Sequence, residues 1–117
     1  AIFYQEKEAE TMAESYDIVL DSQLGERHGT LTIDSEDGHV RGRISLVGFD
    51  NAVTGENRGG VLYLRHELST LMSTLKCRSV IRLAGETLTG TVDAGSAIMK
   101  LRGTKKSKTG AEQDEIR

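Results

Sequence analysis

Apolar and polar side chains alternate with a period of two along most of residues 16–106. The segment HVRGRISL is typical: Val40, Ile44 and Leu46 fall on one face, and the arginines between them fall on the other. This alternation is characteristic of an antiparallel sheet with one buried face and one solvated face. The sequence therefore predicts an all-β fold.

Short turn signals separate the alternating segments about every ten residues. Asp37-Gly38 is a strong hairpin signal, because both residue types tolerate the positive φ angles of a tight turn. Gly42, Gly90 and Gly103 lie on the inward phase, where the lack of a side chain allows a sheet to curl. Closure of the sheet removes its unpaired edges. We therefore predict an antiparallel up-and-down meander barrel of seven or eight strands.

The two ends of the chain lack this alternation. Residues 1–15 are rich in Glu, Ala and Met and predict a short N-terminal helix. Residues 16–106 are expected to form a single β-barrel domain. Residues 107–117 contain little to bury and predict a disordered charged tail.

Two stretches within the barrel region are expected to form loops at its rim. Residues 48–60 are the longest irregular stretch, with a short strand only at Ala52–Gly55. Residues 69–74 connect two alternating segments. We expect these rim loops to place any ligand or partner.

Three segments resemble the strand pattern of calycin-like meander barrels, the group that includes streptavidin, the fatty-acid-binding proteins and the lipocalins, with many small bacterial members. These segments are GTLTIDSEDGHVRGRISL, GETLTGTVDAG and MKLRGTKK. The resemblance covers about residues 16–106 and implies a barrel with an internal pocket. The chain has no Trp, so it lacks the Gly-x-Trp of lipocalins and the tryptophans of the streptavidin biotin pocket. The resemblance therefore implies no particular ligand and no ligand-contacting residue.

Composition narrows the class of function. Fifteen basic and eighteen acidic residues give a net charge of −3, whereas nucleic-acid-binding domains are normally basic. No segment approaches the ~20 apolar residues of a membrane span. The single cysteine fits a reducing compartment. We expect a cytoplasmic protein without a nucleic-acid or membrane partner.

The chemically reactive side chains form no recognisable catalytic or metal motif. If residues 59–68 and 75–83 pair about the intervening loop, His66 faces Cys77, but no third group and no oxyanion-hole loop accompany them. The spacing of the histidines and Cys77 matches no zinc pattern. We predict no enzyme activity, no metal and no cofactor, and we keep His66 and Cys77 as candidate ligand contacts.

Arginines on the polar phase are expected to share one wall of the barrel. The simpler interpretation is a solvated face whose charges pair with Asp17, Asp21 and Glu67. The alternative is a surface for an anion or an acidic partner, with Arg41 and Arg43 as further candidate contacts. The arginines are Arg41, Arg43, Arg65, Arg78 and Arg82.

The function expected from these patterns is a binding module for a small ligand in or at the mouth of the barrel. The alternative is a structural, assembly or protein-interaction module with a filled core. An apolar cavity of at least ~300 Å³ favours ligand binding, whereas a solid core favours assembly. In the second case we expect a homodimer that uses outward apolar residues: Val19, Val47, Val61, Tyr63, Val80 and Ile98.

Overall fold

A computed structural model describes residues 13–106, and these residues form a closed antiparallel barrel. Each strand pairs with its neighbours in the sequence, and the last strand pairs with the first. The predicted up-and-down meander barrel is confirmed, with eight strands. The strands are β1 (Glu14–Ser22), β2 (Gly25–Glu36), β3 (His39–Leu46), β4 (Phe49–Arg58), β5 (Val61–Ser69), β6 (Thr74–Ala84), β7 (Thr87–Asp93) and β8 (Ile98–Lys105).

The barrel begins slightly earlier than predicted. Glu14 and Ser15 belong to β1 rather than to an N-terminal helix. They extend the strand because Ser15 is opposite Thr32 of β2, and the two hydroxyl oxygens lie 3.1 Å apart. The remainder of the predicted helix, up to residue 12, and the predicted tail at residues 107–117 lie outside the described residues. Residues 13–106 form no helix that is long and apolar enough to cross a membrane.

The prediction of an irregular loop over residues 48–60 is wrong, because β4 occupies most of it. This strand pairs along its length with β3 and, from Val53 onward, with β5. Its inward positions include two asparagines and a glycine, so the apolar alternation that marks the other strands is hidden. These inward positions are Phe49, Asn51, Val53, Gly55 and Asn57.

The apolar phase predicted from the sequence is the buried phase of the barrel. Leu31, Ile44, Leu64, Ile81 and Leu101 come from five different strands, and each is at most 2% exposed. Burying one such side chain contributes roughly 1.5–3 kcal/mol. The core is therefore continuous around the whole barrel.

Inward glycines allow the strands to close around this core. A Cβ atom on Gly42 would overlap the carbonyl oxygen of Thr32, and one on Gly90 would overlap that of Val80. Neighbouring backbones therefore approach more closely at these positions than any side chain permits. The predicted crowding at Gly42 and Gly90 is confirmed.

One end of the barrel is closed by short turns that are tied to the strands beside them. This closed end carries the β2–β3, β4–β5 and β6–β7 turns, and it is where β1 begins and β8 ends. The Asn57 amide donates to the carbonyl of Gly38 at 2.8 Å, and the Leu83 amide donates to that of Gly60 at 3.0 Å. The turns of the closed end are residues 37–38, 59–60 and 85–86.

The opposite end, which we call the mouth, carries the other four turns. The predicted loop at residues 69–74 lies here and is confirmed as the turn between Ser69 and Thr74. Within this turn the Thr70 hydroxyl accepts hydrogen bonds from the backbone amides of Met72 and Ser73. The mouth turns are residues 23–24, 47–48, 70–73 and 94–97.

Candidate ligand-binding site

The barrel interior is open at the mouth. A cavity of about 630 Å³ lies between the four mouth turns, and we call it the cup. Its volume falls in the range of pockets that hold small ligands. The wall is mainly apolar and is built by residues of six strands: Leu20, Leu46, Phe49, Leu68, Leu75 and Met99.

Small and polar residues line the cup beside the large apolar side chains of its wall. They are Ser22, Asn51, Ala94 and Ala97. Towards the closed end the inward positions hold large side chains that fill the barrel, and each is at most 1% exposed. These filling residues are Tyr16, Val40, Leu62, Ile81 and Leu88.

Arg27 is the one charged residue among the described residues that line the cup. It lies on the inward phase of β2, opposite Leu20 of β1, and is half-buried. Among the described residues its side chain has no ion-pair or hydrogen-bond partner, and the adjacent Glu26 is bound by Arg102 at 2.9 Å. The guanidinium of Arg27 is therefore free to bind an anionic group at the cup.

A second polar group lines the cup on β4 and β5. Ser69 Oγ donates to Asn51 Oδ1 at 3.1 Å, and both residues line the cavity. Because this bond uses the amide oxygen, the NH2 group of Asn51 remains a hydrogen-bond donor. The polar groups of the cup thus suit a ligand that carries acceptor oxygens.

His66 and Cys77 lie directly opposite each other on β5 and β6, as the predicted register requires. Neither lines the cup. Each sits one inward position deeper than a residue of the cup wall, since Leu68 follows His66 on β5 and Leu75 precedes Cys77 on β6. A ligand in the cup is therefore separated from both candidates by a layer of leucine.

The ring of His66 bonds to a serine rather than to Cys77. Its Nε2 lies 2.7 Å from Ser79 Oγ, and its Nδ1 lies 3.3 Å from the carbonyl oxygen of Glu67. A carbonyl oxygen only accepts, so Nδ1 carries the proton and Nε2 accepts from the serine hydroxyl. Burial lowers the pKa of His66, which keeps the imidazole neutral.

The Cys77 thiol is also held in its neutral form. Burial, with a smaller contribution from the charge of Asp93, raises the pKa of Cys77. The thiolate is the nucleophilic form of cysteine. Within residues 13–106 no base bonds to this sulfur, which contacts the carbonyl oxygen of Leu75 at 3.7 Å. This pair is arranged as core packing rather than as a nucleophile with its base.

Arg41 and Arg43 lie on the outer wall of β3 and are exposed. They do not reach the cup. The predicted pairing of the arginine wall with Asp17 and Asp21 is wrong, because Asp17 lies 3.7 Å from Lys106 and Asp21 lies 3.2 Å from Arg102. Both carboxylates are on β1, which pairs with β8. Arg102 of β8 and Lys106, which follows β8, are therefore closer to them than the arginines of the wall.

The outward apolar residues predicted to form a dimer face are spread around the barrel. Tyr63 and Val80 are opposite each other on β5 and β6. Val19 lies on β1, Ile98 begins β8, and Val47 lies in a mouth turn. They do not share one wall.

The sequence analysis did not identify Arg27 or Asn51 as site residues. The signal was their position in the alternation. Arg27 has the same phase as the inward Leu31 on β2, and Asn51 has the same phase as the inward Val53 on β4. A polar residue on the inward phase near a strand end marks a position where the barrel interior is open. Across residues 13–106, no three metal-ligating side chains converge.

Comparison of the sequence with models of protein families and with curated proteins gave no match. The function is therefore inferred from the cup itself.

Proposed function

We propose that the protein binds a small apolar ligand that carries an anionic group, without transforming it. The apolar part of the ligand occupies the cup, and the anionic group binds Arg27. The observation that supports this proposal is an apolar cavity of about 630 Å³ whose one charged lining residue has no side-chain partner within residues 13–106.

The two parts of the ligand have separate roles in binding. Apolar surface removed from water contributes roughly 25 cal/mol per Å² before the costs of association are subtracted. A guanidinium binds a carboxylate, sulfonate or phosphate through paired hydrogen bonds, which orients the ligand. The apolar wall would thus provide affinity, and Arg27 would select for an acid.

A pair of fluorescent probes tests this proposal. Anilinonaphthalene sulfonate is apolar and anionic, whereas phenylnaphthylamine has a similar ring system without the charge. We expect both probes to bind the wild-type protein. Arg27→Gln should weaken binding of the anionic probe about tenfold or more, as expected for loss of a charged hydrogen bond, and leave the neutral probe unchanged.

Two further variants complete the test. Arg82→Gln removes an exposed arginine outside the cup and should change neither affinity. Ala97→Phe introduces a large side chain at the cup wall and should weaken both probes. The proposal is wrong if neither probe binds, if Ala97→Phe has no effect, or if Arg27→Gln weakens both probes equally.

A further inference from the structure

Four large apolar side chains stand at the tips of three mouth turns, and we call them the crown. Leu24 is 83% exposed, Val47 is 57% exposed, and Leu71 and Met72 are each 92% exposed. All four also contribute to the lining of the cup. Single exposed apolar residues are common on proteins, but a ring of them around an apolar cavity marks a contact surface.

The backbone conformation at Val47 is unfavourable for valine. The turn geometry therefore does not account for an apolar residue at this position of the crown. Val47 has a φ of 54°, and Gly48 has a φ of 83°. A left-handed conformation costs a residue with a Cβ roughly 1–2 kcal/mol, and branching at Cβ makes it rarer still. Asp37 and Gly38 at the closed end make the same turn with φ values of 56° and 83°. The mouth therefore carries a valine where the turn favours aspartate, asparagine or glycine.

The mouth turns also contain no charged residues. Residues 23–24, 47–48, 70–73 and 94–97 include no Asp, Glu, Lys, Arg or His. Charged residues are depleted from the centres of protein–protein contacts. Surfaces that dock on membranes instead combine apolar residues with Lys and Arg. The mouth therefore has the composition of a protein contact.

We propose that a second copy of this chain docks on the crown, so that the two barrels meet mouth to mouth. A two-fold contact pairs a surface with itself, and the crown supplies the same apolar ring on both sides. The four mouth turns follow one another around the barrel. A two-fold axis through the β3–β4 and β7–β8 turns lays Leu24 of one copy over Leu71 and Met72 of the other.

The crown supplies most of the area that such a dimer needs. Each of its side chains exposes on the order of 100 Å² of apolar surface, which amounts to roughly 800 Å² over the two copies. Neighbouring atoms of Gln23, Thr70 and Ala97 lie at the same rim. With their surface buried as well, the contact would reach the ~1,000 Å² expected of a specific interface.

The dimer would join the two cups into one chamber that is closed to solvent. Ligand exchange would then require the monomer, and this consequence, unlike the dimer itself, rests on the proposed function. Dimerisation is therefore measured without any ligand, and probe binding is measured separately.

Sedimentation velocity over a dilution series reaching about 100 µM, a range that detects micromolar association, tests the dimer. We expect the wild-type chain to sediment at high concentration as twice its mass of 12.8 kDa. The double variant Leu71→Ser/Met72→Ser should remain monomeric. Its matched control, Tyr63→Ser/Val80→Ser, removes exposed apolar surface from the barrel wall and should dimerise like the wild type.

Three results would overturn the proposal. The wild type could stay monomeric throughout the series, the crown variant could keep the dimer, or the wall control could lose it. If a monomeric wild type floats with phosphatidylcholine vesicles and the crown variant does not, the occupant of the crown is a lipid surface instead. If the dimer behaves as expected but neither fluorescent probe binds, the dimer stands and the proposed ligand function fails.

Discussion

The two ends of the barrel use the same turn geometry with different residues. At the closed end, Asp37-Gly38 supplies residue types that accept positive φ, whereas at the mouth Val47-Gly48 places a β-branched residue in the same conformation. The closed end thus has the residue types that this turn geometry favours. The mouth has an exposed apolar residue instead, and this difference points to binding at the mouth.

The interior differs between the two ends in the same sense. Near the closed end, large side chains fill the barrel, and Leu62 is 0% exposed. Near the mouth, Leu68 is 7% exposed and forms part of the cup wall. Stability should therefore depend on the closed half, and ligand binding on the open half.

The largest expected effect comes from truncating one leucine at each end. Leu62→Ala should lower the free energy of unfolding by about 3–4 kcal/mol, because it leaves a cavity in a filled core. Leu68→Ala should cost about 1–2 kcal/mol, because it enlarges a cup that is already open. Urea denaturation measures both. Equal losses would mean that the interior is packed alike at the two ends.

A smaller effect is expected from exchanging residue types between the two equivalent turns. Val47→Asn should raise the free energy of unfolding by about 1 kcal/mol, because asparagine accepts the left-handed conformation. Asp37→Val should lower it by about 1–2 kcal/mol for the converse reason. Thermal or urea unfolding checks both variants. Destabilisation by Val47→Asn would show that the valine contributes to the fold.

The smallest effect is a change in pH dependence from the histidine below the cup. Because burial lowers the pKa of His66 in the folded chain, the unfolded chain binds a proton first as the pH falls below the ordinary value of 6.5. The free energy of unfolding therefore decreases as the pH falls below that value. Above that value His66 is neutral in both states and causes no pH dependence. His66→Gln, whose amide can still bond Ser79, should remove this part of the slope.

Urea unfolding at a series of pH values from neutral to mildly acidic measures this slope. His39→Gln replaces an exposed histidine and serves as the control. If His66→Gln and the wild type lose stability in parallel as the pH falls, His66 is accessible to protons in the folded state. The leucine layer between His66 and the cup would then not exclude water.

The inward residues of the alternating strands could be predicted from the sequence, because burial of one face imposes a period of two. The alternation identified the inward Leu31, Ile44 and Ile81, and the pairing about the 69–74 loop placed His66 opposite Cys77. The glycine at residue 42 signalled curvature because only glycine fits beneath a neighbouring carbonyl. Closure, register and core were therefore encoded locally.

The cup and the crown were not readable in the same way. β4 was predicted only as a short strand at Ala52–Gly55, because its inward Asn51 and Asn57 interrupt the alternation, and Asn51 lines the cup. Arg27 looked like an ordinary polar residue until its phase was known. Leu24 is far in the chain from Leu71 and Met72, and only the common direction of their turns brings them to one end.

The placement of the first and last strand ends has a practical consequence for any measurement on this barrel. Since β1 starts and β8 finishes on the side away from the cup, a fluorophore or surface linker attached at these two strand ends lies behind the barrel. An immobilised molecule would thus present its opening to the solution, and tethering should not interfere with ligand entry or with the approach of another barrel.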